Sequence, residues 1–134
     1  MPIKPNIAIV TDVCHDTSTP MIEKKIEGDL KMGRGPVIAY APATQNNLRE
    51  MIVDTAEANK IPFQRNASSR ATGTDTDAFA YSNDGTASAL ISMPLRYMHT
   101  TVEMCHREDV ENAIRLIYHS VKAIKNGQDF SYFK

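Results

Sequence analysis

A chain of 134 residues with a formal net charge of -1, 42% apolar and 23% charged residues fits one globular domain. Its 15 Lys+Arg against 16 Asp+Glu leave no basic stripe, which argues against a nucleic-acid partner, and no apolar run is long enough to span a membrane. The opening MPIKPNIAIV lacks the cationic segment, long apolar segment and cleavage site of a secretory leader, so a cytoplasmic location is expected.

Asn6 to Val13 (NIAIVTDV) is apolar and β-branched almost throughout, the pattern of a strand buried on both faces. CHDTSTP breaks it. Cys14 and its distant fellow Cys105 are each followed by a histidine, His15 and His106. Adjacent strand residues point to opposite faces, so neither pair is built to chelate one ion, and both cysteines read as reduced apolar filler. GDLKMGRGP is glycine-punctuated loop. Pro36 to Pro42 (PVIAYAP) is a short strand closed by prolines. TQNNLREMIVDTAEANK predicts an amphipathic helix with Thr44 as N-cap and Leu48, Met51, Ile52, Thr55 and Ala56 on its apolar face. IPFQRNA follows as a strand. GTDTDAFAYSNDG predicts a turn into a short helix, capped by Thr74 or Asp75, with Gly85 past its end. TASALISMP is a further buried strand. REDVENAIRLIYHSVKAIKNG predicts a long helix buried through Val110, Ile114, Ile117, Val121 and Ile124. Glu108, Asp109 and Glu111 in its first turn and Lys122 and Lys125 in its last suit the helix dipole, and Gly127 suits its stop. The aromatic tail QDFSYFK either docks on the body or is covered by a partner. Strands alternating with helices predict an α/β layered sheet with helices packed on it.

In such sheets function gathers where loops leave the carboxyl ends of strands. TDVCHDT supplies Asp12, His15 and Asp16 there. TGTDTD supplies Thr74, Asp75 and Asp77, and PLRYMHTTVE supplies Arg96, His99 and Glu103. A carboxylate and an imidazole from separate strand ends form half a site for zinc or cobalt. Each residue also has a plainer reading. Asp12 suits a turn, His15 and His99 suit satisfied structural histidines, Asp75 suits an N-cap and Arg96 suits a carboxylate's partner. AYSNDG lacks the flanking glycines of a nucleophile elbow. No glycine-rich loop matches a phosphate cradle or a dinucleotide fingerprint.

AIVTDVCHDTSTP, GDLKMGRGPVI, GTDTDAFAYSNDGTASALISMPLRYMHTTVEM and EDVENAIRLI follow one another in an order that resembles the carboxyl-terminal half of the glutamyl aminopeptidases. These are the tetrahedral aminopeptidases, often labelled endoglucanase M. The resemblance runs from about Pro5 to about Val121. It implies a partial zinc-exopeptidase-type catalytic domain over residues 1–134, with the amino-terminal half and the dimerisation domain absent. It implies a peptidase that uses two divalent metal ions, zinc or cobalt, and takes a peptide substrate. Asp12 matches a terminal ligand of one metal and His99 a ligand of the other. His15 would orient the first ligand, and Thr74, Asp75 and Arg96 would line or support the site. The family's remaining ligands and its general base, a glutamate beside a ligand glutamate, belong to the absent half, and this chain has no Glu-Glu pair. The expectation is a family member whose chain holds two of five ligands and no catalytic base, and which is inactive alone. It would associate with itself or with a complementary chain. The alternative is a non-catalytic subunit or interaction module that pairs with another chain.

Overall fold

The computed structural model describes residues 3–131 of the chain. Strand β1 spans Ile7–His15, α1 Lys24–Glu27, β2 Val37–Tyr40, α2 Asn46–Ala58, β3 Gln64–Ala67, α3 Asp75–Ala80, β4 Ala87–Arg96, β5 Met104–Cys105 and α4 Arg107–Ala123. The layered α/β sheet predicted from the pattern is present. Its order is β1-β4-β2-β3, with β5 against the end of β4. β1 runs parallel to β4, β2 antiparallel to β4, and β3 parallel to β2. No helix among the described residues is long and apolar enough to cross a membrane.

Strand alternation divides the sheet into two faces. Ala87, Ala89 and Ile91 of β4 face one way, level with Ile7, Ile9 and Thr11 of β1 and with Ile38 of β2. α2 and α4 cover this face. Leu48, Ile52, Val53 and Ala56 from α2 join Ala113 and Leu116 from α4 in one buried cluster with the strands. Phe130 is also in that cluster and 5% exposed, so the tail docks on the body as far as it is described. Ser88, Leu90 and Ser92 point to the other face, level with Ala8, Val10 and Asp12.

Several details differ from the sequence expectation, among them the end of α4, which stops at Ala123 with Ile124 as its cap, short of Lys125 and Gly127. Gln45, not Thr44, caps α2, accepting from the Leu48 N–H at 2.7 Å. The buried Thr44 hydroxyl closes the turn before it by donating to the Ala41 carbonyl at 2.8 Å. β1 continues through Cys14 to His15, because the β4 ladder extends to Leu95. In α4 the buried residues are Asp109, Ala113, Leu116 and Ser120, each one position before a residue of the expected face. One residue is about 100° of helix rotation. Ile114 and Val121 therefore stand 62% and 55% exposed. α1 and β5, of four and two residues, are too short to leave a periodic signal.

The rotation follows from Asp109. Its carboxylate, 1% exposed, accepts from the Gly33 N–H at 2.6 Å and the Gly35 N–H at 2.7 Å. Gly35 has φ +93, and a Cβ there would collide with the Pro62 carbonyl, so no other residue brings this backbone so close. The same loop is held elsewhere. The Gln64 side chain accepts from the Lys31 N–H at 2.9 Å and donates to the Lys31 and Gly35 carbonyls, each at 2.8 Å. Thr17 and Leu30 bond each other reciprocally.

Replacing Asp109 by Ala leaves the buried Gly35 N–H without an acceptor, at about 1–3 kcal/mol, and frees the more accessible Gly33 N–H. Urea unfolding of Asp109→Ala is expected to show a loss of about 2–5 kcal/mol, with Asp109→Asn between it and the native chain. A change below about 0.5 kcal/mol, the scale of an ordinary surface substitution, would remove the clamp from this account.

Candidate functional site

Because β1 and β4 are adjacent and parallel, their carboxyl ends leave the sheet at one end, and the segments after them meet there. Asp12 lies level with Ser92, which is 4% exposed. One Asp12 oxygen accepts from the Val13 N–H at 2.7 Å, and its other oxygen has no hydrogen-bond partner among the described residues. His15 is three residues on, so alternation sets it on the opposite face of β1 from Asp12. Its Nδ1 is buried without a partner, and no hydrogen bond joins it to Asp12.

Past β4 the chain turns sharply. Tyr97 and His99 both adopt left-handed backbone, at φ 53 and 64. For residues with a Cβ this is a strained conformation that surrounding contacts must hold. The Glu103 carboxylate holds it, accepting from the His99 N–H at 2.8 Å, and the Thr100 hydroxyl donates to the Tyr97 carbonyl at 2.6 Å. The His99 imidazole is exposed. Arg96 ends β4 with its guanidinium 5.3 Å from the Tyr97 ring centre and its Nε buried without a partner.

Asp16, 3% exposed, begins the loop after β1. It accepts from the Ser18 N–H and hydroxyl at 2.7 and 2.6 Å and from the Met32 N–H at 3.1 Å. Burial pushes its carboxyl up. The Ser18 and Met32 hydrogen bonds, with the Arg96 charge, outweigh burial and hold it below the ordinary carboxylate range. Burial, and then the carboxylates of Asp109, Glu27, Asp12 and Asp16, push the Cys14 thiol up to about 12. Cys14 is a protonated apolar filler, as the sequence suggested, and a poor nucleophile; Cys105 is exposed, so the filler expectation fails there.

Around the end of β1, bordered by Val13, Cys14 and His15, lies an open cavity of about 730 Å³. Cys14, Val37, Ala39, Leu90 and Ser92 form its floor, and the segment from Ser68 to Thr72 walls it. Of the predicted residues, His15 and Thr74 line it; Asp12, Asp75, Arg96 and His99 do not. Thr74 caps α3, its hydroxyl oxygen accepting from the Thr76 N–H at 3.3 Å. Asp75, the first residue of α3, is exposed. Sequence reading passed over Ser92 and Met98, which also line the cavity. Ser88, Leu90 and Ser92 recur at strand period within TASALISMP, a two-faced signal that was legible.

Carboxylate and imidazole are donors that suit a zinc- or cobalt-type ion. Among the described residues, however, no three His, Cys, Asp or Glu gather closely enough to hold one. The chain carries donors of the right chemistry without a closed shell.

Residues 1–116 match the M42 glutamyl aminopeptidase family. Lysyl aminopeptidase of Pyrococcus furiosus is 37% identical over 114 residues, which cover 85% of this chain and 32% of that protein. The TET aminopeptidase of a marine-sediment Thaumarchaeota archaeon superposes with a TM-score of 0.81 at 30% identity, over 91% of this chain and 34% of that one. The TET1 peptidase of Pyrococcus horikoshii, which can assemble into a tetrahedron or a large octahedral shell, superposes with a TM-score of 0.62 at 28% identity, over 84% of this chain and 31% of that one. The chain thus spans about a third of the length of the relatives it matches.

Two outcomes follow for this end of the sheet. In native protein at pH 8 a thiol reagent is expected to label exposed Cys105 quickly and half-buried Cys14 much more slowly; two equally fast thiols would contradict the raised Cys14 thiol. Asp16, depressed in the folded state, contributes stability that is present above its unfolded pKa of about 3.9 and lost as pH falls through its folded value. The stability gap between the native chain and Asp16→Asn is therefore expected to stay constant from pH 7 to about 4 and to narrow below that. Melting curves that keep a constant gap down to pH 2 would contradict the depressed carboxyl.

Proposed function

Because the chain belongs to the M42 glutamyl aminopeptidase family, we propose that it is the carboxyl-terminal part of an aminopeptidase catalytic domain, carrying one ligand for each of two metal ions and turning over no peptide by itself. The observation that carries this reading is the parallel β1–β4 pair, which brings the Asp12 strand and the His99 turn out at one end of the sheet.

In this reading Asp12 would hold one zinc or cobalt ion through the oxygen that Val13 leaves unused. His99 would hold the other through its exposed imidazole. Glu103 acts at one remove: by accepting the His99 N–H it fixes the turn that presents the ring. The Arg96 charge adds to the Ser18 and Met32 hydrogen bonds that hold Asp16 below the ordinary carboxylate range, in the loop that follows Asp12, while Thr74 and the cavity floor would border the space for the substrate's amino-terminal residue. When bound, such ions polarise the scissile carbonyl and activate a water. The remaining ligands and the general base would come from outside this chain. Lack of a general base alone costs about 10²–10⁴ in rate, and lack of most of the metal shell with it removes useful turnover. The assembly of the TET1 relative into a tetrahedron or a large octahedral shell supports an oligomeric holoenzyme; its substrate would be a peptide, and its location cytoplasmic.

The test is aminopeptidase assay of the purified chain on aminoacyl-anilides with cobalt or zinc added. No metal-dependent release is expected. Metal titration by calorimetry is expected to give weak binding that Asp12→Ala and His99→Ala each weaken further. Clear metal-dependent turnover by the lone chain, or binding indifferent to both substitutions, would sink the assignment.

A further inference from the structure

The turn after α4 carries a reactive pair. Asn126 precedes Gly127, and no other asparagine of the chain precedes a glycine. The amide nitrogen of the following residue can attack an asparagine side chain, and glycine has no Cβ to crowd that approach. Here the approach is open. Both residues are exposed. Apart from chain neighbours, nothing among the described residues stands within 4 Å of the place a Cβ would take at Gly127. The pair borders an open cavity of about 590 Å³ beside Ile7 and Ala87, the first residues of β1 and β4. Neither the Gly127 N–H nor the Asn126 side chain has a hydrogen-bond partner among the described residues.

Comparable positions are guarded. Gly85 follows Asp84, but its N–H donates to the Ser82 carbonyl at 2.9 Å. The Lys60 N–H, after Asn59, donates to the Glu57 carbonyl at 3.1 Å. A nitrogen held in this way must give up its bond before it can attack.

The same turn anchors the tail. The Gln128 N–H donates to the Lys125 carbonyl at 3.1 Å, and the Lys125 N–H donates to the Gln128 side chain at 3.1 Å. Gly127 is the third residue of this turn, with φ 78, the positive value that a type II turn requires there. Gln128 Nε2 reaches Met51 Sδ of α2 at 3.9 Å. Two residues on, Phe130 is 5% exposed in the core cluster. The backbone between α4 and Phe130 is thus fixed at both ends.

We propose that Asn126–Gly127 is a self-modification site whose conversion to isoaspartate frees the Phe130 anchor. The step needs only water. The Gly127 N–H gives its proton to solvent base, and the nitrogen attacks Asn126 Cγ. A C–N bond forms, and the side-chain nitrogen takes a proton from solvent and leaves as ammonia, closing a five-membered succinimide. Water opens the ring at either carbonyl. Opening at Cγ gives aspartate, and opening at the former main-chain carbonyl gives isoaspartate. Nothing is oxidised or reduced. Isoaspartate routes the backbone through the side chain and adds one methylene, about 1.5 Å, to a path between two fixed ends. A close-packed core does not absorb a shift of that size, so Phe130 leaves its seat. Aspartate adds a charge and keeps the turn. The metal-site reading plays no part in this, and both residues lie beyond the 1–116 stretch that matches the family.

The experiment incubates the full chain at pH 8 for several days and follows it by peptide mapping that resolves asparagine, aspartate and isoaspartate. Asn126 is expected to convert at least tenfold faster than any other asparagine, at a rate within about tenfold of that in the urea-unfolded chain, with isoaspartate in excess. Asn126→Gln, which would have to close a six-membered ring, is expected to melt like the native chain and to lose the conversion. Chymotrypsin cleavage after Phe130 reads the anchor. The converted chain is expected to be cut there at least fivefold faster than the native chain or Asn126→Asp. Protection of Asn126 beyond about tenfold in the folded chain would overturn the proposal. So would a converted chain cut no faster than the native one, or an Asn126→Asp chain cut as fast as the converted one.

Discussion

The buried carboxylate of Asp109 closes the first turn of α4 over a loop that has almost no regular structure. It takes the N–H groups of Gly33 and Gly35 at 2.6 and 2.7 Å, and through them fixes how α4 lies on the sheet. A buried carboxylate without donors costs several kcal/mol, whereas exposing an aliphatic side chain forgoes about 1.5–3 kcal/mol. Burying Ile114 and Val121 instead would have swung Asp109 away from both glycines. The polar constraint wins, and α4 settles one residue round from the face its aliphatic spacing indicates. The glycine loop, tied also to Thr17 near β1 and to Gln64 of β3, becomes the joint through which three elements share one geometry.

Much of this was legible in the amino-acid order. Strands alternating with helices gave the layered class, and the apolar positions of α2 fell where the pattern put them, because period and burial agree there. α4 shows where pattern reading fails. Val110, Ile114, Ile117 and Val121 recur at good helical spacing, but so do Asp109, Ala113, Leu116 and Ser120 one step earlier. Nothing local says that a distant pair of glycine N–H groups will choose between them. Thr44 fails as a cap for a related reason: its hydroxyl has a closer use in the preceding turn, and Gln45 reaches the helix instead.

For the candidate site, the order of motifs carried more than the chemistry of single residues. Asp12 and His99 are ordinary in isolation, and their common feature, a place at one end of two neighbouring parallel strands, depends on a pairing between segments far apart in the chain. The turn geometry around His99 was not legible at all. Left-handed backbone at Tyr97 and His99 is imposed by the short return into β5 and by Glu103, and side chains other than glycine give no advance notice of it. Nor could the exposure of His99, the half-burial of Cys14 or the opposite facing of His15 be read without knowing how far β1 runs.

The position of β4 has a consequence for how the molecule comes into being. β4 follows β1, β2 and β3 in the chain, yet β1, β2 and β5 all pair with it. Ile7 waits for Ala87, while β2 and β3 meet as soon as α2 is complete. Non-local pairing of this kind delays sheet formation, and at ribosomal speeds of about 5–20 residues per second β1 waits seconds for its β4 partner. The β1–β4 and β2–β4 pairings therefore both wait for a strand that comes late in this stretch of chain.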